Sequence, residues 1–250
     1  MATAAQAAPV AALRERSAAF LDYLDTWLQS LPDASLSQIL DEAGGPARVA
    51  VVAVDVVNGF CVTGALASER VGQIVAPIRE LFQAAHGAGV RTFAVLRDSH
   101  SPEAAEFAQF PPHCVAGTPE SALVADLAGL PFAGSFADVP KNAINTWAGA
   151  RRFPSWVAEQ EARGVSTFVV AGDCTDLCVY QEAMMLKLAA NAQDRAIDVI
   201  VPAACVETYD LPVETARTIG ALPHDGDLLH AVFLYHLQLN GVRVVQRIVA

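Results

Sequence analysis

Strand-length apolar runs alternate with helical patterns along most of this 250-residue chain, and that alternation constrains the fold more than any other feature. Strand-like runs cover residues 48–54, 91–96, 166–171, 198–202 and 242–248, with a weaker one at 135–139. Helix-like patterns cover 69–86, 120–127, 155–163, 177–191 and 227–239. Strands rich in Val and Ala with no polar alternation need cover on both faces. The order strand–helix–strand therefore predicts an α/β protein of Rossmann type, a parallel sheet in a three-layer α/β/α sandwich. In such sheets ligands gather beyond the carboxyl ends of the strands.

Residues 1–46 read as an N-terminal helical extension ahead of one domain at 47–250. The alanine-rich residues 1–9 are expected to fray. A helical pattern runs from Val10 to Leu31, with Leu13, Phe20, Leu21, Leu24, Trp27 and Leu28 near one face, and Pro32 stops it. A shorter helix at Leu36–Glu42 closes on Gly44-Gly45. The extension is expected to pack on the main domain or on a partner subunit.

Composition excludes several function classes. A net charge of −11 repels phosphate backbones, so nucleic acid is not an expected partner. No apolar run reaches the length of a membrane span, and the N-terminal residues lack the charged start and long apolar stretch of a signal peptide, so none is expected. Five cysteines, an odd number with scattered spacing, fit a reducing cytoplasm better than a disulfide framework. There is no G-x-G-x-x-G after a strand, no phosphate-binding P-loop and no G-x-S-x-G elbow.

Three positions stand out for chemistry. Cys178 lies in Gly172-Asp173-Cys174-Thr175-Asp176-Leu177-Cys178-Val179, between a strand and a helix. Near a helix N-terminus the backbone N–H groups favour a thiolate and can hold an oxyanion. An inert buried cysteine is the plain alternative. Asp55 ends the strand of AVVAVDVVNGF (50–60), where desolvation would raise its pKa and make it a base; it could equally cap the next turn. Lys141 follows the weak strand; it is either a solvated surface lysine or the cation that steadies a thiolate.

Asp98, His100, Glu106 and His113 fall in the long irregular stretch 98–119. Two imidazoles and two carboxylates suit zinc, manganese or iron, and they also suit an ordinary polar loop. His224, His230 and His236 read as core packing, and Cys61, Cys114 and Cys205 as structural.

Taken in order, Asp55, Lys141 and Cys178 resemble the catalytic triad of the isochorismatase-like cysteine hydrolases. Residues 172–179 resemble the family's G-x-x-T-D-x-C-V signature, and Asp55, Asn58 and Phe60 its D-x-x-N-x-F element. The loop Asp98-Ser99-His100 … Glu106-Phe107 … Phe110-Pro111-Pro112-His113 resembles the metal loop of the nicotinamidase branch. Here Ser99 stands where the family usually has Trp, Glu106 where many members have a second histidine, and Phe110 where they have a ring-stacking Trp.

The resemblance implies hydrolysis of nicotinamide to nicotinate and ammonia through a Cys178 thioester, with Asp55 as base and Lys141 stabilising charge. It implies an oxyanion hole from the N–H groups of Cys174 and Cys178, and a cis peptide at Asp173–Cys174 that aims the amide. It also implies Phe60 and Phe110 against the substrate ring, and a divalent metal, zinc first, on Asp98, His100, His113 and Glu106. Members commonly form dimers or tetramers, so a homo-oligomer is expected. Another small amide, an isochorismate-like ether, or a catalytically silent binding protein on the same fold are the alternatives.

Overall fold

The computed structural model describes residues 10–149 and 152–250; the first nine residues, expected to fray, lie outside the described residues. The strands are β1 (Ala34–Ser35), β2 (Val49–Val54), β3 (Thr92–Asp98), β4 (Ala137–Lys141), β5 (Thr167–Asp173), β6 (Asp198–Pro202), β7 (Val206–Glu207), β8 (Arg243–Val245) and β9 (Ile248–Val249). The α-helices are α1 (Val10–Gln29), α2 (Leu36–Ala43), α3 (Asn58–Cys61), α4 (Glu69–Gly72), α5 (Val75–Gly87) and α6 (Ala125–Ala128). They continue with α7 (Thr146–Gly149), α8 (Arg152–Ala162), α9 (Tyr180–Asn191), α10 (Val213–Ile219) and α11 (Gly226–Leu239).

The main sheet has the order β4-β3-β2-β5-β6-β8, parallel throughout, with β7 beside the end of β5. Alternate residues of β2 explain its unbroken apolar run. Val49, Val51 and Ala53 join one core with Ile78, Leu81 and Phe82 of α5. Ala50, Val52 and Val54 join the other with Phe153 of α8, Leu186 of α9 and Leu234 of α11. Both faces are therefore buried, as an all-apolar parallel strand requires. The chain starts at β2, moves outward through β3 and β4, then returns to β5 on the other side of β2. The carboxyl ends of β2 and β5 flank that reversal, where ligand crevices form.

Several boundaries differ from the sequence expectation. The helix expected at 69–86 is split into α4 and α5. Gly72 lies close against the Cys61 carbonyl, and Pro77 falls in the first turn of α5, where its missing N–H costs nothing. The helix expected at 120–127 shrinks to a short 3₁₀ turn and α6. Its middle is extended because Asn58 N–H bonds to Ala122 O and Val124 N–H to Val56 O. The strand expected at 242–248 divides into β8 and β9, and the weak strand shifts to 137–141.

The extension is tied down at two places. Trp27 and Phe20 of α1 pack edge-on against Tyr235 of α11, with ring centroids 5.3 and 5.4 Å apart. β1 pairs with β9. Of the six residues expected on one face, Leu24 is buried, while Leu13, Phe20 and Leu21 are exposed. A cleft of ≈ 720 Å³ opens between the extension and β8, lined by Trp27, Leu31, Gln38, Gln238 and Arg243. It does not touch Asp55, Lys141 or Cys178. Among the described residues no helix is long and apolar enough to cross a membrane.

Candidate active site

Three neighbouring strands deliver three charged groups to one point. Asp55 follows β2 with φ 55°, a left-handed conformation that aspartate tolerates. Asp98 ends β3 and its N–H donates to Asp55 Oδ1 at 2.7 Å. Lys141 ends β4, in register opposite Asp98. Its Nζ lies 2.7 Å from Asp55 Oδ2, ion-pairs with Asp98 Oδ1, and sits 3.6 Å from Cys178 Sγ. All four residues are buried, so Lys141 is no surface lysine.

Burial sets the protonation of this group. It pushes Asp55 up to about 7, helped by the neighbouring Asp98 and opposed by the Lys141 ammonium. Burial alone would strip Lys141 of its proton, but the carboxylates of Asp55 and Asp98 outweigh it and hold the ammonium well above its ordinary range. Burial would also raise Asp98; the Lys141 ammonium and the neighbouring imidazoles of His100 and His113 reverse that and hold it low. The Cys178 thiol is pushed well up by burial, against the pull of Lys141. This corrects the expectation of a thiolate favoured by a helix terminus. Cys178 sits inside a π-helical turn, Thr175–Val179, ahead of α9, and desolvation dominates there.

The turn itself is closely held. Gly172 has φ 126°, and a Cβ there would strike the Val54 carbonyl of the neighbouring strand. The Asp173–Cys174 peptide is cis, as expected. The Cys174 carbonyl accepts from the N–H groups of Leu177 and Val179 at 3.1 and 3.2 Å. Asp173 is buried, and the Cys61 thiol donates to its Oδ2 at 3.8 Å, so Cys61 borders the site. Burial, with Asp55 and Asp98 nearby, raises Asp173 well above the usual carboxyl range.

The histidines expected in core packing carry polar contacts instead. His224 bridges Asp176 Oδ2 and Tyr209 O, each at 2.8 Å. His230 Nδ1 meets Thr175 Oγ1 at 2.9 Å, and His236 Nδ1 meets Tyr180 Oη at 2.9 Å. Helical spacing alone could not reveal partners 48 to 56 residues away.

Asp98, His100, Glu106 and His113 form a group whose ligand atoms all lie within 4.8 Å of one another. Nε2 of His100 and of His113 stand 3.3 and 3.7 Å from Asp98 Oδ2. The outer nitrogens fit a metal centre: His100 Nδ1 faces Asn142 Oδ1 at 3.3 Å, and His113 Nδ1 faces the Pro111 carbonyl at 2.8 Å. Each acceptor holds a proton on Nδ1, the usual outer support of a metal-binding imidazole, so the inward-facing Nε2 is the nitrogen a metal would take. Phe60, Phe107 and Phe110 ring His113 at centroid distances of 5.5, 5.6 and 6.3 Å. Sequence reasoning missed Asn142 and gave Phe107 no role of its own. Asn142 adjoins Lys141 and Phe107 adjoins Glu106, so adjacency was the available signal.

A family model described as the isochorismatase domain matches residues 49–219. Nicotinamidase 1 of Arabidopsis thaliana is 34% identical over 217 residues, 80% of this chain and 86% of that protein. The nicotinamidase structure from Bacillus subtilis superposes with a TM-score of 0.61 at 23% identity, covering 79% of this chain and 99% of that one. The pyrazinamidase of Pyrococcus horikoshii, solved in complex with zinc, gives 0.61 at 20% identity, covering 80% and 99%. These two structures share the fold.

Proposed function

The chain belongs to the isochorismatase family, and on that premise we propose that it is a cysteine-dependent amidohydrolase converting nicotinamide to nicotinate and ammonia. One observation carries the reading: a buried lysine whose Nζ reaches both Asp55 and Cys178, at 2.7 and 3.6 Å. A base and a sulfur bridged by one cation form an activated nucleophile.

Asp55 takes the Cys178 proton, and the thiolate attacks the carboxamide carbon. The oxyanion that forms is held by the N–H groups of Cys174 and Cys178. Asp55 returns its proton to the amide nitrogen as the C–N bond breaks, and ammonia leaves a thioester. Water then adds to the thioester carbon and gives a proton to Asp55; the C–S bond breaks as Asp55 returns that proton to the Cys178 sulfur, and the acid released ionises to nicotinate. Asp55, at about 7, can both accept and return a proton near neutrality. Lys141 offsets the negative charge of each charged state.

Asp98, His100, His113 and Glu106 would hold a divalent metal. Their mixed nitrogen and oxygen donors suit zinc first, with manganese or iron as alternatives. A metal bound there would supply a Lewis-acid site for the pyridine nitrogen. Phe60 and Phe110 flank the ring, while Asp173 and Cys174 border the amide. Five free cysteines fit a reducing cytoplasm, and assembly into a homo-oligomer is part of the same proposal.

Ammonia and nicotinate release by the purified, metal-loaded chain tests the reading. Turnover is expected to vanish on chelation and return with Zn²⁺, Mn²⁺ or Fe²⁺. Turnover of a different small amide, with none of nicotinamide, would overturn the substrate. Sedimentation of the full chain measures the assembly.

A further inference from the structure

The segment after β7 reaches back over the turn that carries Cys178 through Thr208, His224 and His230, and His224 is the most firmly fixed of the three. His224 lies beyond the stretch matched by the family model, which ends at 219. It is 8% exposed. Its backbone is pinned by reciprocal bonds with Leu211, at 2.7 and 2.9 Å, and its ring stacks on Tyr209 with centroids 3.8 Å apart. Nδ1 faces the Tyr209 carbonyl and Nε2 faces Asp176 Oδ2, both at 2.8 Å. Thr208 Oγ1 donates to the other oxygen, Asp176 Oδ1, at 2.6 Å. Asp176 stands midway between Cys174 and Cys178 in the turn.

We propose that His224 is a positioning residue: through Asp176 it holds the Thr175–Val179 turn so that Cys178 Sγ stays against Lys141. A carbonyl oxygen accepts only, so Nδ1 donates to Tyr209. A neutral ring would then turn its Nε2 lone pair on the Asp176 carboxylate, and two acceptors repel. The 2.8 Å contact therefore contains a proton. An asparagine at 176 would supply that proton from its own amide and still accept from Thr208. Alanine would do neither, leaving His224 and Thr208 without their buried partner.

The reading takes Cys178 as the nucleophile, and the test has an arm that needs no substrate. Iodoacetamide labelling of the full chain, mapped cysteine by cysteine, compares Asp176→Asn, Asp176→Ala and His224→Ala with the parent. The expected result is labelling of Cys178 at least fivefold faster in both alanine variants, because a loosened turn uncovers the buried thiol. Asp176→Asn should label at the parent rate. Cys114 and Cys205 serve as controls, since general unfolding would expose them too. On nicotinamide, the alanine variants should lose tenfold or more in kcat with KM within threefold, and Asp176→Asn should keep its kcat within threefold. The double variant Asp176→Ala with His224→Ala should be no worse than either single one, because the two act as a unit. Parent-like labelling of Cys178 in the alanine variants, equal acceleration at all five cysteines, or failure of asparagine to substitute would each overturn the role of His224. Absence of nicotinamide turnover in the parent, with the labelling pattern intact, would sink the substrate alone.

Discussion

The two halves of the site are built by different means. On one side, Asp55, Asp98 and Lys141 each sit at the end of a parallel strand, fixed by sheet register and by one another's charge. On the other, Cys178 rides on a π-helical turn held through Asp176 by Thr208 and His224, contributed from a later part of the chain. The strand-end half draws its order from the core and its chemistry from burial. The turn half draws its order from directional hydrogen bonds. Altering the first should therefore disturb protonation and stability, whereas altering the second should disturb placement.

The sharpest way to separate the halves is at the sulfur. Cys178→Ala should cut nicotinamide turnover by about 10⁴-fold or more while leaving the thermal midpoint close to that of the parent. A rate within tenfold of the parent would end the thioester route. Next comes Lys141→Met, which leaves Asp55 and Asp98 buried without their cation. A loss of about 3–5 kcal/mol is expected, because an uncompensated buried charge costs that much; urea denaturation measures it, and an unchanged midpoint would contradict the strand-end account.

The pH response is smaller and has two opposed signs. Asp55 must be ionised to act, so kcat/KM should rise about tenfold per pH unit below about 7 and level off above it. Its folded pKa is raised, so its contribution to stability is complete below the unfolded value near ~4 and is lost as pH rises through about 7. Activity and stability should therefore move in opposite directions across that window, and a parallel rise of both would refute the assignment. The mildest effect is expected from Asn142→Ala, which removes the acceptor behind His100. Metal affinity should fall by about 10–100-fold, read by titration with Zn²⁺.

Much of the strand-end half was legible before any coordinates. An unbroken Val/Ala run that stops at an aspartate marks a buried parallel strand with a polar tip, and β2 with Asp55 is that case. Lys141 could be nominated but not placed, because nothing local distinguishes a buried lysine from a solvated one. The protonation of Cys178 was misread for a related reason: helix-terminus reasoning counts local dipoles, while desolvation depends on everything packed around the thiol. His224 and Asn142 escaped because their partners are 48 and 42 residues away, a distance at which no spacing pattern exists. The helix expected at 120–127 failed because the backbone of 122–124 bonds to the 56–58 segment, a tertiary demand that overrode helical propensity.

Gly172 has one further consequence. It lies at the last paired position of the strand leading to the nucleophile and the strand leading to the base, with no room for even a methyl group. Any bulkier substitution there would act as a wedge driven into the hinge between proton acceptor and sulfur, opening their spacing without touching either. A residue with no side chain thus helps to fix how far a proton must travel.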